Sequence, residues 1–133
     1  MKQIAIIADD RVGLLADISY ILGKAKINIE AISVQTQGDK GIINLTVKDD
    51  QKAMKMLSSN GFQVFASDIL LVRLKDEPGE MAKMTKILRD NHINIESLYI
   101  VARGCDGFAV HALKVDKQKK GKKLLSDFII KSD

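Results

Sequence analysis

The chain has 133 residues, of which 46% are hydrophobic and 29% are charged, with a formal net charge of +4 at pH 7. This composition is that of a folded globular protein and excludes an intrinsically disordered one. No apolar run approaches the roughly 20 residues that a membrane-spanning helix needs, and a single cysteine, Cys105, excludes an internal disulfide. We therefore expect a cytoplasmic protein without a membrane partner.

The first half of the chain predicts four strands and two helices in the order βαββαβ. Residues 4–8 are almost all apolar, as in a strand at the centre of a sheet. From Leu14 onward apolar residues recur at helical spacing, and Asp50 is predicted to cap a second helix. The remaining strands are predicted at residues 27–29 with 31–35, at 42–47 and at 62–66, with a turn at 38–41.

The second half repeats the first at a constant offset of 66 residues, which separates Gly13 from Gly79 and Asn28 from Asn94. This period is too long for a solenoid repeat and is enough for a small domain. We therefore predict an α+β protein of two tandem ferredoxin-like domains, at residues 1–67 and 68–133. Each is expected to be a βαββαβ unit with an antiparallel sheet and both helices on one face.

The second copy differs from the first in its helices. Pro78 is predicted to open the first of them, because a first-turn residue needs no N–H donor. The last helix has lysines where copy one is apolar, so a small register shift is needed to bring Leu124 and Leu125 inward. Gly121 should weaken that helix further. The strands are predicted at residues 69–74, 95–102 and 108–115, with a hairpin turn at 104–107.

Both copies place a glycine where the first strand ends and the helix begins. Free backbone N–H groups and the positive end of the helix dipole favour a carboxylate or phosphate there. Asn28 and Asn94 are expected at the start of a strand that runs beside the first one, so their amides would lie near the same loop. A small zwitterion would then find donors and acceptors in one place. The alternative is that the glycines only allow a tight turn and the asparagines cap a helix end.

The most specific signal is Asp-Glu-Pro-Gly-Glu-Met at residues 76–81, followed by Ile-Asn-Ile-Glu at 93–96. This pattern resembles the signature of ACT domains, the small-molecule regulatory modules of amino-acid metabolism. The first copy resembles it too, with Val12 where the family usually has proline. The two-copy layout is similar to stand-alone tandem ACT proteins.

The resemblance implies the fold predicted above and a side-by-side pairing of units into an eight-stranded sheet. It also implies that ligands, typically amino acids, lie between the first loop of one unit and the Asn-Ile segment or a neighbouring unit. Carried over by position, the implied ligand-binding residues are Asp10, Arg11, Val12, Gly13, Leu14, Leu15, Asn28 and Ile29 in copy one, and Asp76, Glu77, Pro78, Gly79, Glu80, Met81, Asn94 and Ile95 in copy two.

An enzyme is not predicted. His92 falls at a helix end and His111 on a strand, where structural roles are more common than catalytic ones. Cys105 has no basic neighbour at a matched spacing, so it is not expected to be a nucleophile. No metal-ligand spacing and no phosphate-loop motif occurs in the sequence. We therefore expect no catalytic residue, no metal and no cofactor.

RNA-recognition modules share the βαββαβ order and are the competing binding class. They stack bases on aromatic residues of the central strands. Residues 4–8 and 42–47 contain no aromatic residue, and copy two offers only Phe108. The lysines between residues 117 and 123 are interpreted as the solvated face of a helix. We therefore expect no nucleic-acid partner.

With the resemblance included, the sequence predicts a non-catalytic, amino-acid-binding regulatory protein. Without a catalytic domain it would act in trans on a partner enzyme or transcription factor of amino-acid metabolism. The alternative is a structural protein–protein interaction module without a working ligand site. Few charges guard the expected edge strands at residues 32–35 and 98–102, so we also predict that the units shelter each other and that the chain forms a homodimer.

Overall fold

The computed structural model describes residues 2–130, which form two compact units with a boundary between Ser67 and Asp68. In the first unit the four strands form one sheet in the order β2-β3-β1-β4, and β3 pairs antiparallel with both β1 and β2. The elements are β1 (Lys2–Asp9), α1 (Leu14–Lys24), β2 (Ala31–Gln37), β3 (Lys40–Thr46), α2 (Asp50–Ser59) and β4 (Gln63–Asp68).

The core of the first unit lies between one face of this sheet and its two helices. Alternate residues of β1 and β3 point toward the helices, as the period of two in a strand requires. The helices contribute residues at helical spacing, such as Ile18 and Leu22 of α1. The fully buried members are Ile4, Ile6, Ile18, Leu22, Ile43, Leu45, Ala53 and Leu57.

The second unit has the same element order up to its last strand. Its three strands form a sheet in the order β5-β7-β6. A fourth, shorter segment lies on β5: Ile129 forms an isolated bridge to Val72, and the Ile130 N–H donates to the Leu71 carbonyl at 2.9 Å. The predicted ferredoxin-like fold is confirmed. The elements are β5 (Leu70–Lys75), α3 (Glu80–Asp90), β6 (Ile95–Arg103), β7 (Phe108–Val115) and α4 (Gln118–Leu124).

The two units differ in strand register, although the sequence repeat has no gap here. In the first unit Ile6 of β1 pairs with Ile43 of β3. In the second unit Val72, which corresponds to Ile6, pairs with His111, two residues beyond the position that corresponds to Ile43. Irregular pairing of β6 around Glu96 and Val101 accompanies this shift. Because side chains alternate with a period of two, the shift keeps every side chain on its face and puts His111 in the place of Ile43.

Two predicted helix starts are wrong by one or two residues. The N-cap of α2 is Asp49, whose carboxylate accepts a hydrogen bond from the Lys52 N–H at 3.1 Å, so Asp50 is the first helical residue. Helix α3 begins at Glu80 after Gly79, and Pro78 lies in the preceding turn. A glycine with φ of 88° supplies the turn into this helix, so proline is not its first residue.

The last helix behaves as the register argument predicts. Leu125 is fully buried, and Leu124 packs against the same core. Gly121 is buried as well: a Cβ atom there would lie 3.1 Å from a Val115 methyl carbon. Glycine therefore lets α4 approach β7 closely, in addition to its low helix propensity. No helix in residues 2–130 is long and apolar enough to span a membrane.

Candidate functional site

The loop between β1 and α1 leaves the start of the helix open. Gly13 is the N-cap residue with φ of 87°, a left-handed conformation that favours glycine. It has no side chain that could cap the helix, and its carbonyl accepts from the Asp17 N–H at 3.0 Å. The positive end of the α1 dipole therefore faces the loop without a carboxylate or hydroxyl cap.

A depression of about 320 Å³ lies beside this helix start. This volume is at the lower end of the range for small-molecule sites, as a metabolite of amino-acid size requires. Val12 is fully exposed and does not line the depression. The lining consists of five predicted residues, Asp10, Arg11, Gly13, Leu14 and Leu15, together with Ala16, Val34, Thr36, Gly41 and Ile43.

The depression combines opposite charges with apolar walls. The Arg11 guanidinium donates to the Asp17 carboxylate, and both side chains are about half exposed. The Asp10 N–H donates to the Asp39 carbonyl at 2.9 Å, which holds the loop against the β2–β3 turn. Ile43 and Val34 supply apolar surface from β3 and β2. This arrangement can hold a small molecule that carries both charges and an apolar group.

The predicted meeting of Asn28 with this loop is wrong within the unit. Strand β2 pairs with β3 rather than with β1, and Asn28 follows the C-terminal end of α1. The eleven residues of α1 are about 16 Å long, so the loop and Asn28 lie at opposite ends of the helix. Asn28 lines a second depression of about 330 Å³ with Lys26, Ile27, Glu30, Lys48, Asp49 and Lys52, while Ile29 packs against the core.

Asn28 and Asn94 do not cap the helices that precede them either. Lys26 and His92 take the left-handed conformation after α1 and α3, with φ of 59° and 57°. The Ile27 N–H donates to the Leu22 carbonyl at 2.9 Å, and the Lys26 N–H donates to the Gly23 carbonyl at 3.0 Å. This is the Schellman arrangement, and α3 repeats it.

In the second unit the backbone of Asn94 forms hydrogen bonds with Asp116. The Asn94 N–H donates to the Asp116 carboxylate at 2.9 Å, and its carbonyl accepts from the Asp116 N–H at 3.1 Å. Ile95 packs against the core of this unit. The Asn94 segment is therefore tied to the end of β7, again at the far end of its helix.

The loop before α3 is more acidic than its counterpart. The Asp76 N–H donates to the Gly107 carbonyl at 2.8 Å, and the Asp76 carboxylate lies 3.6 Å from the Arg103 guanidinium. Glu80 stands where the first unit has Leu14, with a side chain 17% exposed that accepts a 3.0 Å bond from Lys83. Glu77 and Pro78 are exposed, and Met81 packs against the core.

Sequence reasoning missed a second groove that occurs in both units. In the second unit it measures about 360 Å³ and includes only Glu80 of the predicted residues. In the first unit it measures about 400 Å³ and includes Arg11 and Leu14. The repeated Phe62 and Phe128, which line it, were the available signal. The other lining residues are Ile7, Ala8, Asp9, Lys40, Gly61 and Gln63 in the first unit, and Arg73, Leu74, Lys75, Phe108, Asp127, Ile129 and Ile130 in the second.

Exposed ion pairs shape the electrostatics of these grooves. The hydrogen bond from Lys40 lowers the pKa of the Asp9 carboxyl and raises that of the Lys40 ammonium. In the second unit Arg73 donates to Asp106 at 2.8 Å, which lowers the pKa of that carboxyl. The Arg73 guanidinium also stacks 3.6 Å from the centre of the Phe108 ring. These cations are already paired, so they are weak candidates for binding an additional anion.

The described residues hold no cluster of three or more His, Cys, Asp or Glu side chains that could bind a metal ion. Cys105 is exposed in the β6–β7 turn. His92 lies two residues after the end of α3, and its carbonyl accepts a hydrogen bond from the Lys117 ammonium at 2.6 Å. Neither of these two side chains forms part of such a cluster, and the depression at the start of α1 is the best candidate for a functional site.

The family model described as "ACT domain pair" matches residues 1–131 of this chain. No protein of curated function matches it. Among solved structures, protein BT0572 from Bacteroides thetaiotaomicron has a TM-score of 0.88 and 26% identity, covering 97% of this chain and 90% of that one.

Regulatory subunits of aspartate kinase have the same fold. The subunit from Thermus thermophilus, in its ligand-free form, has a TM-score of 0.68 and 20% identity, covering 96% of this chain and 91% of that one. The subunit from Thermus flavus has a TM-score of 0.68 and 21% identity, covering 95% of this chain and 90% of that one.

Proposed function

Because the chain belongs to the ACT domain family, as an ACT domain pair, we propose that it is a non-catalytic regulatory protein that binds an amino acid. It acts in trans, in the cytoplasm, on an enzyme or a transcription factor of amino-acid metabolism. The similar regulatory subunits of aspartate kinase support this through their fold, which suits a subunit that controls a separate catalytic partner. A ligand that prefers one conformation of the protein shifts the population toward it.

The observation that carries the proposal is the depression at the start of α1. It places an uncapped helix N-terminus, the Asp10 carboxylate and the Arg11 guanidinium around walls formed by Val34 and Ile43. An amino-acid carboxylate is stabilised by the helix N-terminus, and its ammonium by the aspartate. Its side chain is then left to contact the apolar wall.

The test is a thermal-shift screen of the protein against the common amino acids, followed by calorimetry on each compound that raises the melting temperature. A ligand that binds only the folded protein must raise it. Val34→Trp then fills the depression from an exposed position on β2, and we expect it to weaken binding to the first unit at least about tenfold.

The matched control is Ile32→Trp. Ile32 is on the same strand and the same face, is 40% exposed against 52% for Val34, and does not line the depression. Equal affinities in the two variants would mean that the ligand binds elsewhere. A complete absence of thermal shifts would favour the other candidate function, an interaction module without a ligand site.

That second candidate is favoured by one observation. The edge strand β2 exposes Ile32 and Val34 on the face that carries the helices, although its neighbour β3 is buried there. Unpaired edges with exposed apolar side chains are usually covered by another protein surface. A homodimer is the simplest assembly that would cover it.

A further inference from the structure

His111 is a buried histidine with an unused ring nitrogen. His111 is 6% exposed, and its Nδ1 atom has no hydrogen-bond partner among the described residues. Burial lowers the pKa of the ring, while a hydrogen bond with the Ala109 backbone raises it. A buried polar atom without a partner destabilises a fold. Its presence on the buried face of β7 calls for a reason other than packing.

The register of β7 pairs His111 with the buried Val72 and so puts it on the face of the sheet that carries the helices. Its counterpart in the first unit is Ile43, which lines the depression at the start of α1. The next position on the same face of the sheet shows the same two-residue shift, because Ala109 takes the place of Gly41. Gly41 pairs with Thr36 in the first unit, and Ala109 pairs with Arg103 in the second.

Two charged side chains influence the ring, one of them from the predicted loop. The Asp76 carboxylate, from the loop before α3, raises the pKa of His111, and the Arg103 guanidinium, from β6, lowers it. These two groups lie 3.6 Å apart. They form an exposed ion pair with each other, and Nδ1 of the imidazole is the polar atom that has no partner among the described residues.

From this geometry, and resting on the function proposed above, we infer that His111 is a specificity-determining residue of the second unit. Its Nδ1 hydrogen-bonds an uncharged hydroxyl or amide on the side chain of the bound amino acid. The first unit presents Ile43 at the same place and accepts an apolar side chain instead. The two units of one chain therefore select ligands of different chemistry.

An uncharged group is the best match for three reasons. The ring is neutral at pH 7 because its pKa is lowered, so Nδ1 offers one hydrogen bond from an uncharged ring rather than a positive charge. A charged ligand side chain would lose its hydration beside Asp76 and Arg103, whose opposite charges already balance each other. A site built to hydrogen-bond a hydroxyl also rejects the analogue that lacks it, because the buried polar group is then left unpaired.

The test compares near-isosteric amino-acid pairs by calorimetry: threonine with valine, serine with alanine, and asparagine with leucine. It uses the Val34→Trp protein, so that only the second unit reports. We expect the polar member of at least one pair to bind about tenfold or more tightly than its apolar partner. In the His111→Ile variant we expect that preference to disappear.

A second measurement separates recognition from packing. With no ligand present, His111→Ile should raise the melting temperature, because it replaces an unpaired polar ring by the side chain that the first unit uses. His111→Asn, which keeps a polar group near the backbone, should retain part of the preference. The control for loss of a histidine is His92→Asn, which should leave the preference unchanged because asparagine tolerates the left-handed conformation.

Each other result counts against the inference. An unchanged preference in His111→Ile, or a lower melting temperature without ligand, would make His111 a core residue only. Binding without preference for the polar member of any pair would overturn the inference and leave the proposed function standing. Binding of no amino acid by the unsubstituted protein would overturn both.

Discussion

A Leu14 methyl carbon lies 2.9 Å from the point where a Cβ atom on Gly41 would stand. The helix start and β3 therefore touch at a place where a larger residue would force the buried Leu14 side chain to shift, directly beside the depression at the start of α1. Gly41 is buried, so an added methyl group cannot turn toward solvent. The contact sets how closely the loop approaches the sheet.

Gly41→Ala should consequently destabilise the protein. We expect the free energy of unfolding to fall by about 1–3 kcal/mol, the usual cost of overpacking a core, as measured by urea denaturation. The control is Gly23→Ala in α1, where a Cβ atom would meet nothing within 4 Å; that change should stabilise the helix by up to about 1 kcal/mol. Destabilisation of equal size in both variants would contradict the contact with Leu14.

The start of α2 offers a test of the corrected cap. Asp49→Ala removes the carboxylate that accepts from the Lys52 N–H and should lower the free energy of unfolding by about 1 kcal/mol. Asp50→Ala, one residue later, should cost less, because Asp50 contributes only through the helix dipole. Chemical denaturation of both variants under the same conditions decides between them. A larger effect at Asp50 would return the cap to the residue that the sequence pattern favoured.

Most of the fold follows from patterns that act within a few residues. Apolar alternation in β1 and helical spacing after Leu14 are local signals, and they give the correct elements in the correct order. The hairpin between β6 and β7 is marked by its glycines in the same way. The fold class was predictable because the duplication shows each signal twice.

The parts that failed depend on pairing between distant segments. The shift that brings His111 opposite Val72 arises from irregular pairing in β6, which leaves no mark in the spacing of the repeat. Asn28 was expected near the first loop because β2 was taken to lie beside β1. Strand order is a property of the whole sheet, and here β3 lies between them. The predicted binding residues of the loop and of the Asn-Ile segment therefore belong to opposite ends of each unit.

The stability of the protein should fall in mildly acidic solution because of His111. Burial lowers the pKa of this ring from the ordinary 6.5, so below that pH the unfolded chain binds a proton that the folded chain does not. The contribution of the neutral His111 ring to the free energy of unfolding is fully present above pH 6.5. It is lost progressively as the pH falls toward the lowered pKa. The free energy of unfolding, measured by urea at pH values on both sides of 6.5, should show this slope.

The His111→Ile variant should lack that part of the pH dependence. Asp76 and Arg103 are the charged groups that face the ring, and both are present in the variant as well. The carboxyls with lowered pKa, Asp9 and Asp106, act only near and below their ordinary value of 3.8. An identical slope in the variant would assign the effect to other groups.

The last prediction concerns assembly through the edge of the first unit. Among the strands of residues 2–130, β2 pairs only with β3, and the Ile32 side chain on it is 40% exposed. The outer backbone groups of β2 can therefore pair with a strand of another chain. Lysine on an edge strand opposes such pairing, because its charge would be buried in the contact. If the proposed homodimer forms through this edge, Ile32→Lys should shift the protein toward monomer, as measured by light scattering. Tyr20→Lys on α1, which is 67% exposed, adds the same charge away from the edge and should leave the mass unchanged. A monomer in the unsubstituted protein at micromolar concentration, with and without the amino acid found by screening, would remove assembly from the mechanism.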